Sequence, residues 1–284
     1  MKQVRKYIIL FNLIVFSLFH NINIIAQNFD ETLQFAEMQL TNKNYEVALK
    51  TFKRLIFFSD NYKKHELYKK VADIALIKGD FETAQKYFGL AYNTTDNDSL
   101  KTSLLFDKAY SQILNKKYKF AIIDLLSINN TNQKINLKLN FYLGTCYYGL
   151  EEFSKSKTYF ANCVDSNSLY KLNKLFNEKK LHSPSPKKAR ILSMILPGAG
   201  QFYTGNIKDG INSMLLSTGL FALGIYSSIN IDPLYGIVSV LPWFQRYYQG
   251  GYTNAEKSAR KKRQKNRNDI YNKIIDVISN GNNK

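Results

Sequence analysis

A repeated pattern constrains this chain more than any other feature. Asn44-Tyr45-x-x-Ala48-x-x-x-Phe52-x-x-Leu55 returns as Gly79-Asp80-Phe81-x-x-Ala84-x-x-x-Phe88-x-x-Ala91, then as Lys117-Tyr118-x-x-Ala121-x-x-x-Leu125-x-x-Ile128 and Glu152-Phe153-x-x-Ser156-x-x-x-Phe160-x-x-Cys163. The aromatic anchors stand at 45, 81, 118 and 153, in steps of 36, 37 and 35. A unit of that length cannot bury its apolar face alone, so copies must stack. Ala48, Ala84, Ala121 and Ser156 are small where two helices of a hairpin approach, and Phe52, Phe88, Leu125 and Phe160 follow one turn later on the same face. The spacing predicts an all-α array of helical hairpins.

Upstream of the fourth anchor, Leu143-Gly144-x-x-Tyr147 fits the first helix of such a hairpin, and Tyr68, Val71 and Ala72 occupy the matching places of the second copy. On these residues, 29–165 resembles the tetratricopeptide repeat family, in which each unit is a helix–turn–helix. The resemblance implies a solenoid whose first helices line a concave, ligand-holding groove. Its register places Leu33, Glu37 and Leu40, then Lys69, Asp73 and Leu76, then Phe106, Tyr110 and Ile113, then Phe141, Thr145 and Tyr148 toward that groove. The candidate protein-binding residues are therefore Lys69, Asp73, Phe106, Tyr110, Phe141 and Tyr148. Asp73 one turn after Lys69 argues against the family's specificity for acidic C-terminal tails. A second expectation for the aromatic members is packing under a capping helix at 166–180.

The chain starts with Lys2, Arg5 and Lys6, an uncharged run Tyr7–Phe19 and Ala26 before Gln27. This predicts a signal peptide over 1–26, with an uncleaved signal anchor as the alternative. No Cys follows the apolar run, so lipoprotein processing is not expected. Either way the repeats start outside the cytoplasm.

Charge divides the remainder. The whole chain carries 40 Lys+Arg against 22 Asp+Glu. The excess is concentrated in 166–284, which has 18 basic and 6 acidic side chains beside the most apolar stretches. Basic residues flanking apolar runs report anionic lipid and membrane topology more than DNA, so no nucleic acid is expected as a partner.

After a capping helix and linker over 166–186, broken at Ser183-Pro184-Ser185-Pro186, three uncharged runs follow: Ile191–Ile207, Gly210–Ile231 and Pro233–Gln245. They predict a membrane module over 187–252, against a soluble alternative in which a buried hairpin docks on the repeats. The string Pro197-Gly198-Ala199-Gly200-Gln201-Phe202-Tyr203-Thr204-Gly205 resembles the opening of a bacterial family of small two-span membrane domains with a P-G-x-G-Q-x-Y-x-G signature. The glycines at 198, 200 and 205 permit tight turns and close approach, Pro197 ends a helix, and Gln201 and Tyr203 offer polar groups at an interface. The string lacks Gly-Lys-Ser/Thr and G-x-G-x-x-G, which excludes a phosphate loop.

Ala255–Arg267 holds seven basic residues, and Ile270, Ile274, Ile275 and Ile278 continue at helical spacing. This predicts a basic amphipathic tail helix over 253–284 lying on anionic lipid, with Trp243, Tyr247, Tyr248 and Tyr252 at headgroup level. Two crossings, through Gly210–Ile231 and Pro233–Tyr252, leave the tail outside against the charge rule; three crossings would obey it but require Ile191–Ile207 to span despite its Pro and glycines. Two are favoured.

No catalytic motif is present. His20, His65 and His182 are isolated, and neither Gly-x-Ser-x-Gly nor His-Glu-x-x-His occurs. Cys146 and Cys163 are expected either as core thiols or as a disulfide. The fold class is thus all-α, a tetratricopeptide-type hairpin solenoid followed by a transmembrane helical hairpin and an amphipathic tail helix. The expected function is a non-enzymatic membrane-tethered scaffold, without cofactor or metal, binding an envelope protein or peptide with its repeats in the periplasm. The alternatives are an integral membrane assembly or transport component whose repeats recruit partners, and an enzyme with an unrecognised site.

Overall fold

The computed structural model describes residues 28–59, 61–129 and 132–281, and the signal segment lies outside the described residues. Every regular element among them is an α-helix. Two compact units divide between Leu150 and Glu151, inside the fourth sequence copy, whereas the sequence reading ends the repeats at 165.

The first unit holds α1 (Phe29–Thr41), α2 (Tyr45–Phe58), α3 (Asn61–Ile77), α4 (Phe81–Asn93), α5 (Asp98–Leu114), α6 (Tyr118–Leu126) and α7 (Gln133–Gly149). Its helices pair as hairpins. Each second helix begins at an aromatic anchor, and the small and large positions of every copy are fully buried. Ala36, Ala48, Phe52, Leu55, Leu67, Val71 and Ile74 form one core segment, and Ala72, Ala75, Ala84, Phe88, Ala91 and Leu104 form the next.

A feature of the turns recurs with the same period. The residues two before the anchors, Lys43, Gly79, Lys116 and Glu151, all have positive φ, between 57° and 76°. At Gly79 the left-handed residue lets Asp80 N–H reach the Ala75 carbonyl at 2.9 Å and Gly79 N–H reach Leu76 at 3.1 Å, which closes the helix C-terminus. Lys43 and Lys116 hold the same geometry despite a Cβ. Ion pairs repeat as well: Lys78 meets Glu46, and Lys117 meets Glu82 at 2.7 Å, tying each turn to the preceding second helix.

The second unit contains α8 (Phe153–Ala161), α9 (Ser166–Leu175), α10 (Glu178–His182), α11 (Pro186–Ile195), α12 (Ala199–Thr204), α13 (Ile207–Asn230) and α14 (Pro233–Gly281). The sequence reading separates a membrane module ending at 252 from a tail beginning at 253. The structure runs both through one 49-residue helix, α14, about 73 Å long. Gly250 and Gly251 lie inside it, and Gly251 lets Ser213 approach: a Cβ there would stand 2.5 Å from the Ser213 hydroxyl. The N-terminal part of α14 pairs with α13, and its C-terminal part packs on α9, α10 and α11.

That packing changes the role expected of the tail. Ala255 and Ala259 bury against Ala189, Tyr271 meets Phe160, and Ile274 and Ile278 are buried. Arg267, one of the seven basic residues of the run, is also buried: its Nε donates to the Leu181 carbonyl at 2.8 Å, its Nη1 meets Glu151, and its guanidinium lies 5.1 Å from the Phe153 ring centroid. The apolar face expected to lie on lipid is thus spent inside the unit, leaving Lys257, Arg260, Lys261 and Lys265 exposed.

Candidate functional site

In the first unit, α3, α5 and α7 bring together part of the expected groove. Lys69 and Asp73 pair at 2.8 Å, both half-exposed, and Tyr110 is exposed. Phe106 and Tyr148, expected to face a ligand, are buried, Phe106 being only 3% exposed. Phe106 instead supports Tyr142 edge-on at 5.5 Å, and Tyr142 also contacts Tyr110 at 6.4 Å and Phe141 at 6.1 Å. Lys138 Nζ stands 4.5 Å from the Phe106 ring centroid and 5.6 Å from that of Tyr142.

Sequence reasoning missed Asp107 and Tyr142, each one position round its helix from an expected residue, and Lys138, one turn before Phe141 on the expected face. Burial pushes the Asp107 carboxyl up, against the opposing pull of Lys69 and Lys138. Burial also pushes the Tyr142 hydroxyl up to about 12, with Asp107 and Tyr110 adding to it. The result is an aromatic ledge with Lys138 over two of its rings and the Asp107 carboxyl beside it. No group of three or more His, Cys, Asp and Glu able to hold a metal occurs among the described residues. Both cysteines are buried thiols, pushed up to about 12 by burial.

In the second unit, the P-G-A-G-Q-F-Y-T-G string is a packed knot. Leu196 is extended before Pro197, as a residue before proline must be, and α11 ends there. Gly198 and Gly205 have φ of 91° and 79°. A Cβ on Gly200 would stand 1.9 Å from the Ala189 carbonyl oxygen, and one on Gly198 2.4 Å from that of Gly210. Gln201, expected at an interface, is instead 1% exposed and fully engaged. Its Oε1 accepts from Ser193 at 2.8 Å, its Nε2 donates to the Gly251 carbonyl at 2.8 Å, and its own carbonyl accepts from the Thr204 hydroxyl at 2.8 Å. Tyr203 is at the surface, its hydroxyl accepting from Ser185 N–H at 3.2 Å with Lys188 over its ring. Lys262 reaches the Thr204 carbonyl at 2.8 Å. One carboxamide therefore joins α11, α12 and α14.

No family model, curated protein or solved structure matches this chain. The geometry stands alone.

Beyond the knot, α13 and the first part of α14 form an antiparallel hairpin with its apolar side chains outward. Leu215, Phe221, Ile225, Ile229, Leu234, Val238 and Trp243 are among those exposed. Among the described residues, Ile207–Asn230 is the helix long and apolar enough to cross a membrane, and 17% of its most apolar stretch is buried. A soluble core helix would be mostly covered. Pro233–Gln245 carries no charge but forms only the first part of a longer polar helix.

Proposed function

We propose that this protein is a non-enzymatic, membrane-tethered repeat scaffold that holds a protein or peptide partner in the bacterial cell envelope. In this reading the first unit is a tetratricopeptide-type array, the α13–α14 hairpin is the anchor, and the Gln201 knot fixes the anchor to the helices at its base. The observation that carries the proposal is the outward apolar surface of the hairpin. Large apolar side chains exposed along a whole hairpin are an aggregation hazard in water, whereas in a bilayer they are solvated. The base supports the same reading, since Lys187, Lys188, Arg190, Lys208 and Lys257 are exposed where the apolar surface ends, as phosphate headgroups favour.

The groove gives the partner its chemistry. Tyr110 and Tyr142 offer flat apolar area at low entropic cost, and Lys69, Asp73, Asp107 and Lys138 bring groups of both signs, which suits a peptide with both charges better than an acidic tail.

The test is carbonate extraction of native membranes, followed by photo-crosslinking from position 110. A scaffold stays in the pellet and yields a discrete adduct that Lys138→Glu abolishes. Full extraction into the supernatant, or crosslinking indifferent to Lys138, contradicts it. Adducts confined to other integral membrane proteins would favour the assembly-component alternative.

A further inference from the structure

We propose that the polar groove on one side of the α13–α14 seam binds the headgroup of an aminophospholipid, Arg246 taking the phosphate and Asp209 the ammonium. The proposal rests on the membrane reading of the hairpin.

Charge placement is the first observation. Between Gly210 and Ala255 the chain has two charged side chains, Asp232 at the hairpin tip and Arg246. The depth of Arg246 follows from the seam: Gly251 lies against Ser213, Gly224 against Val240, and Gly236 against Ser228, one antiparallel register that sets Arg246 level with Thr218. At the helical rise, Arg246 is then about 20 Å from the tip and about 15 Å short of the charged base at Glu256. A cation at that depth in a bilayer is costly, and it requires a counter-charge or a polar path.

The structure supplies the path. A groove of about 300 Å³ runs beside Arg246, lined by Asp209, Asn212, Ser213, Tyr247 and Asn254 together with Gly250 and Gly251 at the seam. That volume reaches the lower end of small-molecule sites. The Ser213 hydroxyl in its wall is buried with no hydrogen-bond partner, a polar atom left unsatisfied beside the groove. Asp209 accepts from Asn206 with one carboxylate oxygen, leaving the other for a ligand.

The order of these groups selects the ligand. From base to tip the groove presents a carboxylate, two carboxamides and then a guanidinium. A phospholipid entering from the base carries its ammonium outermost, its phosphate next and its acyl chains toward the tip, the same sequence of opposite charges. Asp209 repels a headgroup with no cation, and a primary ammonium gives it charge-assisted hydrogen bonds that a quaternary one lacks. The guanidinium fork suits the phosphate. Trp243 is one turn tipward of Tyr247 on the same helix face, 53% exposed, where the chains would descend.

Trp243 is the single tryptophan, which makes the test direct. The full chain is reconstituted in phosphatidylcholine nanodiscs containing a minor fraction of phosphatidylethanolamine, phosphatidylglycerol or phosphatidylcholine with brominated acyl chains, and quenching of Trp243 is read. Brominated phosphatidylethanolamine is expected to quench most strongly. Arg246→Gln should lower its relative affinity about tenfold while general quenching by brominated phosphatidylcholine persists. Asp209→Asn should narrow the gap between phosphatidylethanolamine and phosphatidylglycerol. Equal quenching by the three lipids, or a preference untouched by Arg246→Gln, overturns the site and leaves the membrane reading standing. Quenching by none of them overturns both.

Discussion

Gln201 and Gly251, fifty residues apart, are joined by a 2.8 Å hydrogen bond from the buried carboxamide to the backbone carbonyl. The same carboxamide accepts from Ser193, so one side chain connects α11 and α14 through α12. Gln201→Leu fills a similar volume but leaves the Gly251 carbonyl and the Ser193 hydroxyl buried without this partner. It should cost about 1–3 kcal/mol in thermal unfolding followed by circular dichroism in detergent. Gly200→Ala should cost more, because its Cβ meets the Ala189 carbonyl and backbone must move. Wild-type melting of Gly200→Ala would show that α12 sits elsewhere.

The left-handed turn residues predict opposite signs for mirrored substitutions. Lys116→Gly removes Cβ strain and should stabilise the first unit by about 1 kcal/mol, while Gly79→Ala introduces it and should destabilise by a similar amount. Chemical denaturation monitored by far-ultraviolet dichroism reads both. Destabilisation by Lys116→Gly would contradict the turn geometry.

These turns also show what was legible in the sequence. The anchors, the small positions and the large positions were readable because burial at helical spacing leaves an apolar signature. The four positive-φ residues were not, since only Gly79 announces itself and Lys43, Lys116 and Glu151 look like ordinary surface residues. In the second unit Pro197 and the glycines marked a turn, yet Gln201 read as an interface residue because its partners Ser193 and Gly251 are set by tertiary packing. Arg267 read as part of a solvated basic run for the same reason: its partners Glu151 and Leu181 lie far away in sequence. In the groove, the register turns Phe106 outward, and its burial under Tyr142 depends on how α5 and α7 rotate against each other.

Asp80 caps α4 by accepting from Thr83 N–H at 3.1 Å, and hydrogen bonding from Thr83 holds its carboxyl below the usual range. A carboxyl lowered on folding stabilises above its unfolded pKa, and the contribution fades as pH falls through the lowered folded value. Asp80→Ala should therefore cost about 1 kcal/mol at pH 7. The gap to wild type should shrink below about pH 4. Asp80→Asn should keep most of the cap and lose that pH dependence. Urea midpoints at pH 7 and pH 3 decide it, and an equal deficit at both would refute the role.

Glu151 pairs with buried Arg267, whose guanidinium holds the carboxyl below its ordinary value. Glu151→Ala withdraws the countercharge and should destabilise the second unit by about 3 kcal/mol, less than a fully buried pair because Glu151 is half-exposed. Glu151→Gln should cost less at neutral pH, and wild type should converge on it in acid as the carboxylate is protonated. Proteolysis of the intact protein at pH 7 and pH 3.5 measures this, and resistance unchanged in Glu151→Ala would contradict it.

The central claim is that the α13–α14 hairpin is solvated by lipid. Leu223 lies on its exposed apolar surface and Lys257 at its charged base, while Cys146 and Cys163 are buried thiols whose background labelling is read in the parent chain. The decisive measurement is labelling of Leu223→Cys and Lys257→Cys by a membrane-impermeant maleimide, each in the full chain, in sealed vesicles and in vesicles permeabilised to the reagent by a pore that leaves the bilayer intact. The account predicts that position 257 labels in the permeabilised vesicles while position 223 stays unlabelled until detergent dissolves the bilayer. Labelling of 223 at the rate of 257 in intact bilayers would contradict it.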